Sequence, residues 1–153
     1  MAITLYDATV RAFLQTLGGV EGFLAKGLEH CRASGLDPAE LVETRLIPDM
    51  HPFRFQVQSV AHHSKGAVEA VQSGTFSPPP PIPPLDYHGL QALVAAAKQT
   101  LAGPAPEPVN AWEGRDVAFK IGDRSMPFTA EGFLMSFSLP NVAYGITGMS
   151  TFP

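Results

Sequence analysis

Residues 78–81, 83 and 84 are all proline, inside the stretch "SGTFSPPPPIPPLDY". A run like this cannot be helical, because each ring removes a backbone donor and clashes with the turn before it. It is expected to cross the surface as extended polyproline II. A crossover between helices is a sufficient reason for it. A ligand for an aromatic-lined groove of the SH3 type is the minor alternative.

On both sides of the crossover the pattern is helical. Val10, Phe13, Leu14, Leu17, Val20, Leu24, Leu28 and Cys31 recur at steps of three and four, which predicts one long amphipathic helix. Thr4 is its N-cap and Gly35 its stop. Gly18, Gly19, Gly22 and Gly27 lie inside it at roughly 1 kcal/mol each against Ala, so close helix packing or a kink is expected. "DPAELVET" adds a helical turn capped by Asp37, with Pro38 at the first position. A second long helix fits Pro52 to Gln72, with Phe53, Val57, Val60, Ser64, Ala67, Val68 and Val71 as its core stripe.

After the prolines a third helix fits Tyr87 to Ala102, with Leu90, Leu93, Val94, Ala97 and Leu101 inward and Gly103-Pro104 ending it. "RDVAFKIGDRSMPFT" alternates Val117, Phe119 and Ile121 and turns at Gly122-Asp123, so two short strands are expected as the only sheet. Thr129 then caps a last helix whose inward positions are read as Phe133, Phe137, Pro140, Tyr144 and Gly148, bent at Pro140.

The 153 residues are read as a single domain spanning 1–153. The formal charge of -4 gives no basic field for a phosphate backbone, which argues against nucleic acid as a partner. No charged leader with an apolar run and no apolar stretch of about 20 residues is present, so no membrane partner and a cytoplasmic location are expected. Cys31 is the lone cysteine; it can form neither an intramolecular disulfide nor a thiolate cage, and reads as core packing.

"LYDATVRAFLQTL", "RLIPDMHPFRFQVQ" with the following "SKG", the hairpin "VAFKIGDRSMPFT" and "FLMSFSLPNVAYGITG" occur in that order. With these elements the chain resembles, along its whole length, an uncharacterised family known as domain of unknown function nineteen ninety-three, within the DinB/YfiT-like four-helix bundles. The resemblance implies an all-α four-helix bundle with a small two-stranded β-hairpin before the last helix, and no established reaction. Members of the wider DinB-like group often hold a metal with three histidines, one on the second helix and two on the last. The family positions on the last helix hold Ser136 and Gly145 here, neither of which replaces imidazole, and no histidine follows His88. No metal and no cofactor are therefore expected, and a divalent-metal-dependent transferase is the least favoured reading.

The histidines of the second helix do not compensate. His62 and His63 project about 100° apart, and His51 and His62 lie about 16 Å apart along the axis. Spacing by seven suggests another use. If the helix reaches back far enough, Asp49, Gln56 and His63 form a polar row beside the core stripe. His63, with Asp49, is the candidate acid/base. Gln56, Asn141, Tyr144, Arg45 and His51 are candidate binding residues, although Gln56, Asn141 and Tyr144 equally suit one another or a buried water. Arg45 and Asp49 flank Pro48 and read as an ion pair that fixes the helix entry. Arg54, His62, Lys65 and Glu69 fall on the far side as a solvated or interface face. His30 and His88 have no clear companions, and Trp112 is either a lid or a plug.

Two functional readings stand. One is a small metal-independent enzyme of isomerase, cyclase or dehydratase type, using His63 on a small, largely apolar molecule held between the helices. The other is a non-catalytic binding or assembly module that pairs as a homodimer through its first and last helices. The dimer follows from the resemblance and from the apolar tail "GITGMSTFP", shorter than in typical relatives, whose Ile146, Met149 and Phe152 read as poorly covered in one copy.

Overall fold

The computed structural model describes residues 2–81 and 83–150. The first helix, α1, opens with a π-helical turn, Asp7–Arg11, and continues as Ala12–Ser34. The Thr4 hydroxyl accepts the Asp7 amide at 3.1 Å, and Gly35 closes the helix in the left-handed region at φ 69°. Of the expected stripe, Val10, Phe13, Leu17, Val20, Leu24, Leu28 and Cys31 are buried. Helix α2 (Pro38–Glu43) follows, capped by the Asp37 carboxylate on the Ala39 amide at 2.9 Å.

Helix α3 runs Phe53–Ala61, takes a π-helical turn at His62–Gly66 and resumes as Ala67–Ser73. All seven residues of its expected core stripe are buried. Strand β1 (Thr75–Phe76) leads into the prolines, and α4 (Tyr87–Leu101) begins beyond them, capped by Asp86 on the Gly89 amide at 2.7 Å. A short α5 (Pro106–Asn110) lies where the sequence suggests a loop, and Trp112 just after it is buried in the core.

Strands β2 (Asp116–Ile121) and β3 (Arg124–Thr129) pair antiparallel around Gly122, with Val117 opposite Phe128. The sheet has three strands, not the two expected. β1 joins β2 in parallel, Phe76 opposite Phe119. Two residues are too few to show alternation in sequence, yet they suffice to pair one open edge of the hairpin.

The last helix, α6, starts as Ala130–Gly132 under a Thr129 cap, passes through a π-helical turn at Phe133–Ser138 and continues as Leu139–Ser150. This turn overturns part of the expected register. A π turn inserts one residue into the α repeat and rotates everything after it. The inward positions become Ser138, Val142, Gly145 and Met149, while Tyr144 swings out to 65% exposure. Pro140 gives the reason: it lacks the N–H that would bond the Ser136 carbonyl, and the wider turn just before it accommodates the ring. Met149, expected to be bare in one copy, is buried; Phe152 lies outside the described residues.

The long helices pack α1 on α4, α3 on α6 and α3 on α4, with Phe13, Phe53 and Phe133 among the largest fully buried side chains. No described helix is long and apolar enough to cross a membrane.

Candidate functional site

The expected polar row depends on α3 extending back to Asp49. Pro52 is extended at φ -67°, ψ 165°, and the helix begins only after it, so Asp49 sits exposed in the preceding turn and is not in line with Gln56 and His63. Arg45 donates to the Met50 carbonyl at 2.6 Å, and no Arg45–Asp49 ion pair occurs among the described residues. His51 is exposed and stacks on Phe55, ring centroids 3.9 Å apart. Gln56 is buried against α6, where a Cβ built on Gly148 would stand 3.6 Å from its Oε1 and 3.7 Å from Met50 Cε. Asn141 Nδ2 donates to its own helix, to the Phe137 carbonyl at 2.7 Å. The structure thus brings Gln56 together with Met50 and Gly148, and leaves Asp49, His51 and Tyr144 facing outward.

His63 lies in the π turn of α3, its ring centroid 5.3 Å from Phe76 and 5.6 Å from Phe137. Those rings belong to a larger cluster with Phe119, Phe128 and Phe133. His63 Nδ1 on α3 and Ser138 Oγ on α6 are both buried without a hydrogen-bond partner in the described structure. Each belongs to a π turn, the second and third of the three described, a feature that recurs at functional sites. Burial, and secondarily the neighbouring His62, pushes the His63 pKa down to about 4. The imidazole is neutral at physiological pH and a weak base, its conjugate acid too strong for efficient general-base work near pH 7. Sequence pattern does not single out Ser138 and the phenylalanines as a site. The only signal for the cluster is the density of Phe after residue 75.

This burial has a pH consequence. A histidine whose folded pKa lies below its unfolded value of 6.5 stabilises the fold above pH 6.5 and loses that contribution as the pH falls toward 4. Full conversion would give about 2 kcal/mol at pH 5; with a partly solvated ring we expect about 1 kcal/mol. Urea denaturation at pH 5 and pH 7.5 measures it, and His63→Phe, which keeps a ring in the cluster, should remove most of the difference. His62, also lowered mainly by burial, adds in the same sense.

His62 touches the same cluster from its edge, its ring centroid 4.6 Å from Phe76. Its Nε2 lies 2.8 Å from the Ser77 carbonyl, tying the start of the proline segment to α3. Gly66 makes room for the imidazole, since a Cβ there would stand 3.1 Å from His62 Nδ1. Beside this contact is a groove of about 200 Å³ between α3, α4 and the prolines. Its floor is apolar: Ala61, Leu93, Ala96 and Ala97, with Pro79 as a wall. Its rim carries Gln58, His62, Lys65 and Glu69, the last two 3.5 Å apart as an i,i+4 ion pair. On the face expected to be solvated or an interface, Glu69 is exposed, Arg54 pairs with Glu43 at 2.6 Å, and the proline crossover borders His62 and Lys65.

The donor set does not fit the three-histidine metal centre of the wider group. Ser136 is exposed, with its hydroxyl on the Gly132 carbonyl. Gly145 is buried against Val60, where even a Cβ would approach Cγ2 to 2.8 Å. Among the described residues no three His, Cys, Asp or Glu side chains converge.

Comparison with known proteins adds the following. The model of the family Domain of unknown function (DUF1993) matches residues 5–149. The crystal structure of a DinB family member protein from Shewanella denitrificans is similar, with TM-score 0.77 at 20% identity, over 97% of this chain and 83% of that one. At that identity the likeness is one of fold. No curated protein matches the chain.

Proposed function

The chain belongs to the DUF1993 family, and from that footing we propose that it is a binding module built on a DinB-like four-helix bundle, holding a small, largely apolar molecule in the groove between α3, α4 and the proline crossover. The observation that carries this reading is the pairing of an apolar floor, Leu93, Ala96 and Ala97, with a polar rim on one side only. Such sites suit ligands with an apolar body and one or two polar groups. The metal-independent enzyme using His63 as acid/base has less support, because that ring is packed between Phe76 and Phe137 and its pKa lies far below the working pH.

Fluorescence titration with the neutral probe N-phenylnaphthylamine tests the assignment. Ala96 is the exposed residue of the groove floor, so Ala96→Phe should fill the groove without touching the core and weaken binding at least about tenfold. His63→Phe should leave the affinity unchanged. An Ala96→Phe protein that binds as well as the parent removes the groove from the account.

Assembly between copies is the second reading, favoured by the apolar cleft of about 500 Å³ where Gly19, Val20 and Phe23 of α1 meet Ile146 and Met149 of α6. Light scattering at micromolar concentration decides it; a monomer removes the homodimer.

A further inference from the structure

We infer a second, independent site, on the face where α1 meets α2 and the starts of α3 and α4, that takes a small aromatic carboxylate. A groove of about 300 Å³ opens there, walled by Phe23, Leu41, Phe53 and Tyr87. Phe23 is the partly exposed ring of this wall; Phe53, 6.3 Å from it by centroids, and Tyr87, stacked on Phe53 at 6.3 Å with 15° between planes, back it from the core at 1% and 3% exposure. Tyr87 contributes its ring and not its hydroxyl, which donates to the Leu24 carbonyl at 2.9 Å. The absence of a side chain at Gly27 lets that ring approach, because a Cβ there would stand 2.5 Å from Tyr87 Oη.

The rim sets the charge of the ligand. Lys26 and His30, one turn apart on the exposed edge of α1, are the only ionisable groups of the lining besides Tyr87, and no Asp or Glu is among it. Neither Lys26 nor His30 enters an ion pair among the described residues, although acidic side chains outnumber basic ones, 14 to 10. An ammonium and an imidazole N–H left unpaired beside an aromatic wall favour an anion carrying a flat apolar body. The carboxylate takes charge-assisted hydrogen bonds from the rim while the ring packs against Phe23 and Leu41. His30, without clear companions in the sequence, borders this groove beside Lys26.

The test is an amide-shift NMR titration of the full chain with phenylacetate, phenethylamine and phenylethanol, which share a ring and differ in head-group charge. Phenylacetate should shift Phe23, Gly27 and His30 and bind at least about tenfold more tightly than the amine, with the alcohol between. Lys26→Glu, at an exposed position, should lower phenylacetate affinity at least about tenfold, whereas Lys65→Glu in the other groove should not change it. Equal binding of amine and acid, shifts centred on Lys65, an unaffected Lys26→Glu protein, or no binding at millimolar phenylacetate would each overturn the assignment. Because Ala96 lies outside this groove, failure here leaves the reading of the proline-roofed groove standing.

Discussion

Replacing Phe133 with alanine is expected to cost about 3–5 kcal/mol, the largest effect within the aromatic cluster. The ring is fully buried at the centre of that cluster, with centroids 5.0 Å from Phe76, 5.5 Å from Phe137 and 5.8 Å from Phe128. It joins α6 to β1 and β3, so the void left behind cannot close by moving one side chain. The void would also loosen Phe76 and Phe137, the two rings against which His63 packs. Domains of this size are held by about 5–15 kcal/mol, so the variant should sit near the edge of folding. Urea denaturation measures the loss. A cost below about 1 kcal/mol would mean that the cluster is loosely packed and does not hold the π turns of α3 and α6 together.

Gly27→Ala is expected to cost about 2–3 kcal/mol, against the ordinary helical preference for Ala over Gly. The new Cβ would fall 2.5 Å from Tyr87 Oη, on the end of a rigid ring that cannot swing aside in the packed contact between α1 and α4. Displacing the hydroxyl also breaks its hydrogen bond to the Leu24 carbonyl, leaving a buried donor to be satisfied. Gly19→Ala, where nothing lies within 4 Å, serves as control and should stabilise by up to about 1 kcal/mol. Tyr87→Phe should recover part of the loss in the Gly27→Ala background and destabilise the parent, a coupling that additive effects cannot produce.

The glycines show how much of this fold is legible in the sequence. Periodicity marks α1 and α3 because their stripes keep an α-like repeat, and the buried positions from Val10 to Cys31 and from Phe53 to Val71 follow it. The run of glycines signals close packing, which holds at Gly27 and not at Gly19 or Gly22. Nothing local separates them, since the distinction is made by Tyr87, far along the chain. The last helix departs from its expected register past Phe137 because a π insertion leaves no trace in the apolar spacing. A proline at position 140 suggests a bend, whereas its effect is a change of register that exchanges Tyr144 for Val142 and Gly145.

The site follows the same rule. His63 is visible in sequence as a titratable group at the edge of a core stripe, but its environment is built by Phe76 and Phe137 from other elements. The Asp49 end of the expected row can be rejected from Pro52 alone, since the residue before a proline avoids helical backbone. The proline-roofed groove is not legible at all. It exists because the crossover folds back over α3 and α4 and places Pro79 against a floor of small residues from both helices.

Amide-shift mapping of bound N-phenylnaphthylamine on the isotopically labelled chain tests the central claim most directly. The account predicts a contiguous set of shifts at Ala61, His62, Lys65 and Gly66 of α3 and at Leu93, Ala96 and Ala97 of α4, all bordering one groove, with Ser77 following through its contact with His62. Shifts confined to Phe133–Ser138 and β2, with Leu93 and Ala96 unmoved, would contradict it and return the ligand, and with it the chemistry, to His63.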